Sequence, residues 1–164
     1  MSNPTDQLQA STEPATGSER LLDSLSAQPL AGSGIGNKLR TAGIPLTLQR
    51  LAVAQVMFPA PVHLTADQVL LRVRSIIPEI SRATVYNTLK LFCEKGLLRE
   101  VIVDADHVVF DSTTTPHYHL YDIDTGEVTD VPAGEIKVVG SANLPPDLEL
   151  EEVDVVVRVR RKRL

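Results

Sequence analysis

The chain of 164 residues contains a single cysteine, Cys93, and this scarcity excludes several kinds of site. One cysteine cannot form an intramolecular disulfide, and it cannot supply a Cys-x-x-Cys zinc staple or an iron–sulfur cluster. The chain is nevertheless long enough to bury a hydrophobic core, either as one ordinary domain or as two small ones. Thiolate-rich metal chemistry is therefore excluded, whereas a folded globular protein is expected.

Long apolar runs are missing as well. No stretch of about eighteen consecutive apolar residues occurs, as a membrane-spanning helix would require. The N-terminal region also lacks the basic segment followed by an apolar one that is typical of a signal peptide. We expect a cytoplasmic protein that has no membrane partner.

The net charge of -5 hides a strong segregation of charge along the chain. Residues 34–103 hold nine basic and four acidic residues, a net charge of +5. Residues 104–157 hold one basic and thirteen acidic residues, a net charge of -12, and residues 158–164 hold five basic and no acidic residues. The basic piece favours a nucleic-acid partner. The acidic piece indicates a metal-binding or self-associating domain, or simply a solvated acidic surface.

Composition also divides the chain into three regions. Residues 1–33 are rich in Ser, Thr, Pro, Gln and Ala with little apolar periodicity, so we expect a mostly disordered arm. Residues 34–112 show the pattern of short helices with clear start and stop residues, and residues 113–164 contain several strand-forming segments. We expect an α+β fold, with an N-terminal winged helix-turn-helix domain followed by a small α/β dimerisation domain.

Three helices and a hairpin are predicted in the first of these domains. One helix runs from a cap at Thr47 through Phe58, and a second follows the capping box Thr65-Ala-Asp-Gln68. A third helix begins at Ser81, with Gly96 well placed as its C-terminal cap. The hairpin has strands over residues 97–103 and 107–111.

The third helix presents polar side chains opposite its buried stripe. Asparagine can read adenine, tyrosine and threonine can contact the thymine methyl group, and arginine and lysine can hold phosphates. The alternative is an ordinary amphipathic helix with a solvated polar face, but the upstream helix, the wing and the local charge of +5 favour DNA. The candidate DNA-binding residues on this helix are Arg82, Thr84, Tyr86, Asn87 and Lys90.

The second domain is predicted to contain strands, a turn and one short helix. The turn is Asp124-Thr125-Gly126. This unit is too small to bury enough apolar surface for stability alone, so a homodimer contact would bury the additional surface. The strands are expected over residues 117–123, 127–131 and 148–160, and the helix over residues 133–141.

Two of the four histidines, His117 and His119, lie one residue apart in a run rich in strand-forming residues. Alternate side chains of a strand point to the same face, so the two imidazoles can close on a single metal ion. His63 and Asp111 lie upstream of this pair, and Asp130 lies downstream. The spacing therefore raises a metal-site hypothesis.

Several blocks of residues together resemble the ferric uptake regulator family. The resemblance covers residues 37–131, and it implies a dimeric, metal-responsive transcription factor, mainly a repressor, that binds a palindromic operator in double-stranded DNA. The blocks are Thr47-Leu-Gln-Arg50, Ala83-Thr-Val-Tyr-Asn87, Gly96-Leu-Leu98, Phe110-Asp111 and His117-Tyr118-His119 followed by Gly126.

This resemblance also implies residue roles. Arg50 joins the DNA-binding residues of the third helix, and one divalent metal per subunit is expected at a site shared between the two domains. Ligands of nitrogen and oxygen suit Fe²⁺ or Mn²⁺, and also Zn²⁺. A metal that joined the domains would favour one interdomain angle and so set DNA affinity. The implied ligands are His63, Asp111, His117, His119 and Asp130.

Two branches of the family resemble the chain, one peroxide-responsive and one of iron response regulators. Many members carry cysteine pairs for structural zinc, but Asp122 and Thr125 occupy the places of the first pair, so that zinc site is not expected. Cys93 is followed by Glu94 rather than by proline, so haem is not supported by motif, although a haem-responsive regulator stays an alternative. With iron, reaction with peroxide at His63 or a neighbouring ligand is a further hypothesis.

Two other classes of protein remain as alternative interpretations of the sequence. Two histidines and a carboxylate also describe iron oxygenases, but five candidate ligands would nearly fill the coordination sphere and no cosubstrate pocket is evident. We therefore expect no enzyme and no catalytic residues. A metal-independent winged-helix protein is the other alternative, and in that case His117→Ala would leave DNA binding unchanged.

Overall fold

The computed structural model describes residues 34–140, 143–151 and 153–162. The chain divides into two compact units, one ending at Leu48 and the other beginning at Gln49. The predicted disordered arm, residues 1–33, lies outside the described residues. Within the described part, no helix is long and apolar enough to cross a membrane.

The described part of the first unit contains a short helix, α1 (Ile35–Thr41), that was not among the predicted helices. The chain turns away from the helix at Gly43, whose φ of +70° is accessible to glycine at little cost. The Ile44 amide donates to the Leu39 carbonyl oxygen at 2.9 Å, which closes the helix end. Both of these side chains are buried.

Three further helices follow and confirm the three predicted from the sequence: α2 (Leu48–Met57), α3 (Ala66–Arg74) and α4 (Arg82–Glu94). The capping box forms in full, because Thr65 accepts from the Gln68 amide and the Gln68 side chain accepts from the Thr65 amide. Gly96, with a φ of +67°, ends α4 as predicted.

The helices bury an apolar core. Leu89 and Phe92 of α4 are fully buried, and the Phe92 ring lies 5.5 Å from that of Phe58. Burial of one stripe on each helix is the main source of stability here, since helices this short are marginal by themselves. The other fully buried apolar residues of α2, α3 and α4 are Ala52, Val53, Ala54, Met57, Val69, Val73 and Val85.

Within the described residues, six strands form two small sheets. The first sheet has the order β1-β3-β2 and is antiparallel; its hairpin β2–β3 is the predicted wing, whereas the two-residue strand β1 was not predicted. The second sheet has the order β5-β4-β6, with β4 antiparallel to β5 and parallel to β6. The strands are β1 (His63–Leu64), β2 (Arg99–Asp104), β3 (His107–Asp111), β4 (His117–Asp122), β5 (Val128–Pro132) and β6 (Val156–Val159).

A small apolar cluster joins the two sheets. Val101, Val103 and Val109 of the wing pack with Tyr121 of β4, and all four side chains are buried. Arg158 of β6 adds a polar tie, because its Nε donates to the Val103 carbonyl oxygen at 3.0 Å. The inner faces of both sheets therefore share one core. The partly buried side chains around it are Ile123, Val128 and Val156.

Two predictions about the C-terminal region are wrong, although the α+β fold is confirmed. Residues 133–140 form a turn and irregular backbone rather than a helix. Gly134 and Gly140 disfavour a helix. Val138 and Val139 are 54% and 79% exposed, so a helix there would not be stabilised by burial of an apolar face. The strand expected over residues 148–160 shrinks to β6, the part that pairs with β4.

Candidate metal centre

Two strands of the first sheet bring His63 and Asp111 together. His63 begins β1 and faces Asp111, the last residue of β3, in the antiparallel register. The Nε2 atom of His63 lies 3.4 Å from Oδ1 of Asp111. Asp111 is fully buried, so a negative charge there requires compensation from nearby groups.

Strand β4 supplies two imidazoles on its buried face. Alternate residues of β4 are buried, and His117 and His119 share that face as predicted. Their Nε2 atoms lie 2.9 Å apart. The backbone carbonyl of Thr115 lies 2.7 Å from Nδ1 of His117. Because a carbonyl oxygen only accepts, Nδ1 carries the proton and Nε2 presents its lone pair to the cluster.

Strand β5 places Asp130 opposite His119 in the register of the second sheet. Its Oδ1 atom lies 2.8 Å from Nε2 of His63 and 3.2 Å from Nε2 of His117. The Asp130 side chain is one-third exposed, unlike that of Asp111. Asp130 therefore forms the solvent-facing edge of the cluster.

The structure brings together all five residues that the resemblance implied as ligands. One ligand atom from each of them lies within 4.8 Å of the others. Oδ2 of Asp111 lies 3.1 Å from Nε2 of His117 and 3.6 Å from Nε2 of His119. Three nitrogens and two carboxylate oxygens thus converge on one point between the two sheets.

The chemistry of these atoms fits a divalent cation. Among the described residues, Nε2 of His63, Oδ2 of Asp111 and Oδ1 of Asp130 are buried without a hydrogen-bond partner, as is Nδ1 of His119. Buried polar atoms without partners are costly, and here three of them crowd together at the same place. A divalent ion would accept their lone pairs, and the two carboxylates would balance its charge. The mixed set suits Fe²⁺, Mn²⁺ or Zn²⁺.

Protonation favours the same interpretation. Burial lowers the pKa of His63 below its usual value, outweighing the opposite influence of Asp111 and Asp130. Burial acts to raise the pKa of Asp111, but the His119 ring, the Thr113 amide and the other two histidines hold it below its usual value. Near neutral pH the imidazole is therefore neutral and the carboxylate is charged, the forms that bind metal.

Thr113, in the loop between β3 and β4, contacts both carboxylates and was missed by sequence reasoning. Its amide donates to Oδ1 of Asp111 at 2.7 Å, and its hydroxyl donates to Oδ2 of Asp130 at 3.2 Å. The first bond is a local turn that an Asp followed two residues later by a threonine allows. The second bond joins residues that are distant in the chain, so no local sequence pattern predicts it.

His107, the fourth histidine, lies outside the cluster. It is exposed, and its ring centroid lies 6.3 Å from that of Tyr121. The sequence assigned it no role, and its position gives it none in the candidate centre.

The candidate DNA-binding residues lie on the outer side of α4 or on α2. Arg82, Tyr86 and Asn87 are exposed, whereas Thr84 is half-buried and bonds to the Ser81 cap. The Arg82 guanidinium pairs with Asp67 of α3 at 2.9 Å. The sixth candidate, on α2, is the half-buried Arg50.

Lys90 is held by the wing. Its Nζ lies 2.5 Å from Oε2 of Glu100 on β2 and 5.8 Å from the centre of the Tyr86 ring. The Glu100 hydrogen bond raises the pKa of Lys90 above its usual value, so the ammonium stays charged. Sequence reasoning missed Glu100, because a charged residue on an outward wing position carries no signal of its partner.

The hairpin where structural-zinc cysteines would fall is held by hydrogen bonds instead. Oδ1 of Asp122 accepts from the amides of Asp124 at 2.9 Å and Thr125 at 3.3 Å, and Oδ2 lies 3.2 Å from Nε of Arg161. The Asp124 amide contributes most to a lowered pKa of Asp122. Part of the basic C-terminal segment is thereby tied to this turn.

Comparison with known proteins places these features in a family. The profile described as "Ferric uptake regulator family" matches residues 41–157. Over 92 residues the chain is 35% identical to the peroxide-responsive repressor PerR of Staphylococcus aureus strain Mu50, a match that covers 56% of this chain and 62% of that protein. The match thus spans about three-fifths of the curated relative's length.

Two solved structures share the fold. The ferric uptake regulator of Pseudomonas aeruginosa with manganese has a TM-score of 0.60 and 27% identity, and the match covers 79% of this chain and 99% of that one. The ferric uptake regulator of Vibrio cholerae has a TM-score of 0.59 and 24% identity, covering 77% of this chain and 98% of that one.

Fold and site together define a winged-helix protein with a candidate metal centre between two sheets. The chain belongs to the ferric uptake regulator family. The relatives named here are a peroxide-responsive repressor and two ferric uptake regulators.

Proposed function

We propose that the chain is a dimeric, metal-responsive transcriptional regulator, mainly a repressor, of iron homeostasis or peroxide-stress genes. One observation carries this proposal. The five converging ligands come from both sheets, and the first of these sheets contains the wing. A divalent ion at that point would tie the wing to the second sheet, so that DNA affinity depends on metal.

A ring contact connects the metal-ligand cluster to α4, the helix that we propose reads DNA. Phe110 directly precedes Asp111 on β3, and its ring meets that of Tyr86 edge-on, with centroids 6.5 Å apart. The two carboxylates and three imidazoles would hold a divalent cation, whose positive charge would offset the two negative charges. A shift of β3 would then reach α4 through this ring contact.

The DNA contacts and the assembly belong to the same proposal. Tyr86 and Asn87 would face base edges, while arginine and lysine side chains would hold phosphates. We place the DNA-binding domain at residues 34–112 and the dimerisation domain at residues 113–164. Two copies would read a palindromic operator in the cytoplasm, since a two-fold dimer presents two reading helices.

A titration of DNA binding tests the regulator. Duplexes selected from a random pool with Mn²⁺ present would be titrated, by fluorescence anisotropy, with Mn²⁺, anaerobic Fe²⁺, Zn²⁺ and haem. We expect a divalent metal to change DNA affinity at least about 10-fold, which corresponds to about 1.4 kcal/mol of coupling. His117→Ala should abolish that change, and His107→Ala should preserve it. Metal-independent DNA binding by the unaltered protein would instead support a plain winged-helix protein.

The identity of the signal needs a separate experiment. The 35% identical relative is a peroxide-responsive repressor, which favours peroxide as one candidate signal. Mass spectrometry of the iron-loaded protein after peroxide treatment should then show added oxygen on His63 or His117. If peptides from treated and untreated protein have the same mass, the chain is an iron or manganese regulator without a peroxide response.

A further inference from the structure

Thr113 bridges the two carboxylates of the candidate centre. Asp111 ends β3 in the first sheet, whereas Asp130 lies on β5 in the second. The Thr113 amide donates to Asp111, and the Thr113 hydroxyl donates to Asp130. A single residue therefore holds one acidic group from each sheet.

The bridge uses one particular oxygen of each carboxylate. Thr113 binds Oδ1 of Asp111 and Oδ2 of Asp130, whereas Oδ2 of Asp111 and Oδ1 of Asp130 are the oxygens buried without a hydrogen-bond partner. The unpartnered oxygens face the histidines, at 3.1 Å from His117 for Asp111 and 2.8 Å from His63 for Asp130. Thr113 thus occupies the outer oxygen and leaves the inner one for an ion.

We propose that Thr113 is a positioning residue that makes both aspartates bind metal through one oxygen each. This inference rests on the proposed metal centre. Five single ligand atoms, three nitrogens and two oxygens, would then hold the ion.

The need for such a residue follows from the surroundings of each carboxylate. Oδ1 of Asp111 lies 3.4 Å from Nε2 of His63, close enough to compete for an ion if the Thr113 amide did not occupy it. The Asp130 side chain is one-third exposed, so loss of the Thr113 hydroxyl would leave its Oδ2 to bind water or the ion instead. Outer hydrogen bonds of this kind typically change metal affinity about 10-fold to 100-fold.

Three variants test the role. Thr113→Val keeps the shape and amide but removes the hydroxyl, Thr113→Ser restores the hydroxyl, and Thr114→Val changes the exposed neighbour, for which no side-chain hydrogen bond is found in the described residues. Affinity for Mn²⁺ and Co²⁺ would be measured by competition with a chelator in the absence of DNA. The Co²⁺ absorption spectrum would report coordination, and thermal unfolding of the metal-free proteins would report folding.

We expect Thr113→Val to weaken Mn²⁺ binding about 10-fold to 100-fold and to alter the Co²⁺ spectrum, with Thr113→Ser and Thr114→Val close to the original protein. Unchanged affinity and spectrum in Thr113→Val would overturn the inference, and so would a Thr113→Ser variant as weak as the valine variant. If the unaltered protein bound Mn²⁺ with no effect on DNA affinity, the proposed regulator would be refuted. The role of Thr113 would still be decided by the metal affinities of these variants.

Discussion

Nε2 of His63 lies 2.8 Å from Oδ1 of Asp130, and this contact joins β1 of the first sheet to β5 of the second. Neither atom has a hydrogen-bond partner among the described residues, although both are buried. A divalent cation bound to both atoms would satisfy them, as the proposed metal centre requires. The contact is therefore a direct link between the two sheets.

Replacement of His63 should weaken metal binding, because His63 is one of the five candidate ligands. We expect His63→Ala to weaken Mn²⁺ binding by more than about 100-fold, because loss of a ligand exceeds the loss of an outer hydrogen bond. Isothermal titration calorimetry measures this. His107→Ala is the matched control, since His107 lies outside the cluster. Equal affinity in the two variants would show that metal binds elsewhere.

The Lys90–Glu100 pair should limit the attraction of the reading helix for DNA. Glu100→Gln removes the acidic partner 2.5 Å from the Lys90 ammonium and frees that charge for a phosphate. We expect tighter non-specific DNA binding and a salt dependence steeper by about one counterion. Anisotropy titrations over a range of salt concentrations measure the slope. Glu135→Gln removes the same charge away from α4 and should leave the slope unchanged.

Cys93 should behave as an inert thiol at neutral pH. Burial raises its pKa to about 11, above the ordinary value of 9.0. The folded state therefore keeps its proton where the unfolded state loses it, and this contribution to stability is present below pH 9.0 and is lost as pH rises toward 11. Alkylation rates of the native protein measured against pH should follow the higher value. A rate profile centred near 9.0 would contradict the burial of this thiol.

The capping box before α3 should contribute measurably to stability. Thr65→Ala removes the oxygen that accepts from the Gln68 amide, so the free energy of unfolding should fall by about 1 kcal/mol. Denaturant unfolding of the metal-free protein measures this change. Thr65→Ser should retain most of the stability, and Thr114→Ala, at an exposed loop position, should have almost no effect. A loss of similar size in the loop variant would argue against the cap.

Local sequence patterns predicted the regular elements well where the signal was short-range. The cap at Ser81, the box at Thr65 and the terminal Gly96 mark helix ends because the responsible hydrogen bonds span only a few residues. The same reasoning failed over residues 133–140 and over the described residues that precede β6, 148–151 and 153–155. The exposed apolar residues there are Val138, Val139, Leu148, Leu150 and Val153. Alternation or periodicity predicts a helix or strand only when a partner buries its apolar face.

The candidate centre shows the same division. Alternation along β4 placed His117 and His119 on one face from the sequence alone. The resemblance implied His63, Asp111 and Asp130 as their partners, but the residues themselves left open whether they meet. Thr113 and Glu100 escaped notice, because their decisive partners lie far away in the chain.

The sequence by itself determined α2, α3 and α4, the hairpin turn, the absence of thiolate sites and the paired imidazoles. These depend on composition and on contacts within about one turn or one strand. The tertiary structure decided which oxygens of Asp111 and Asp130 stay unpartnered, how Thr113 holds them, and which acids restrain α4. Those features depend on the pairing of β1 with β3 and of β4 with β5, since long-range strand register alone sets which side chains converge.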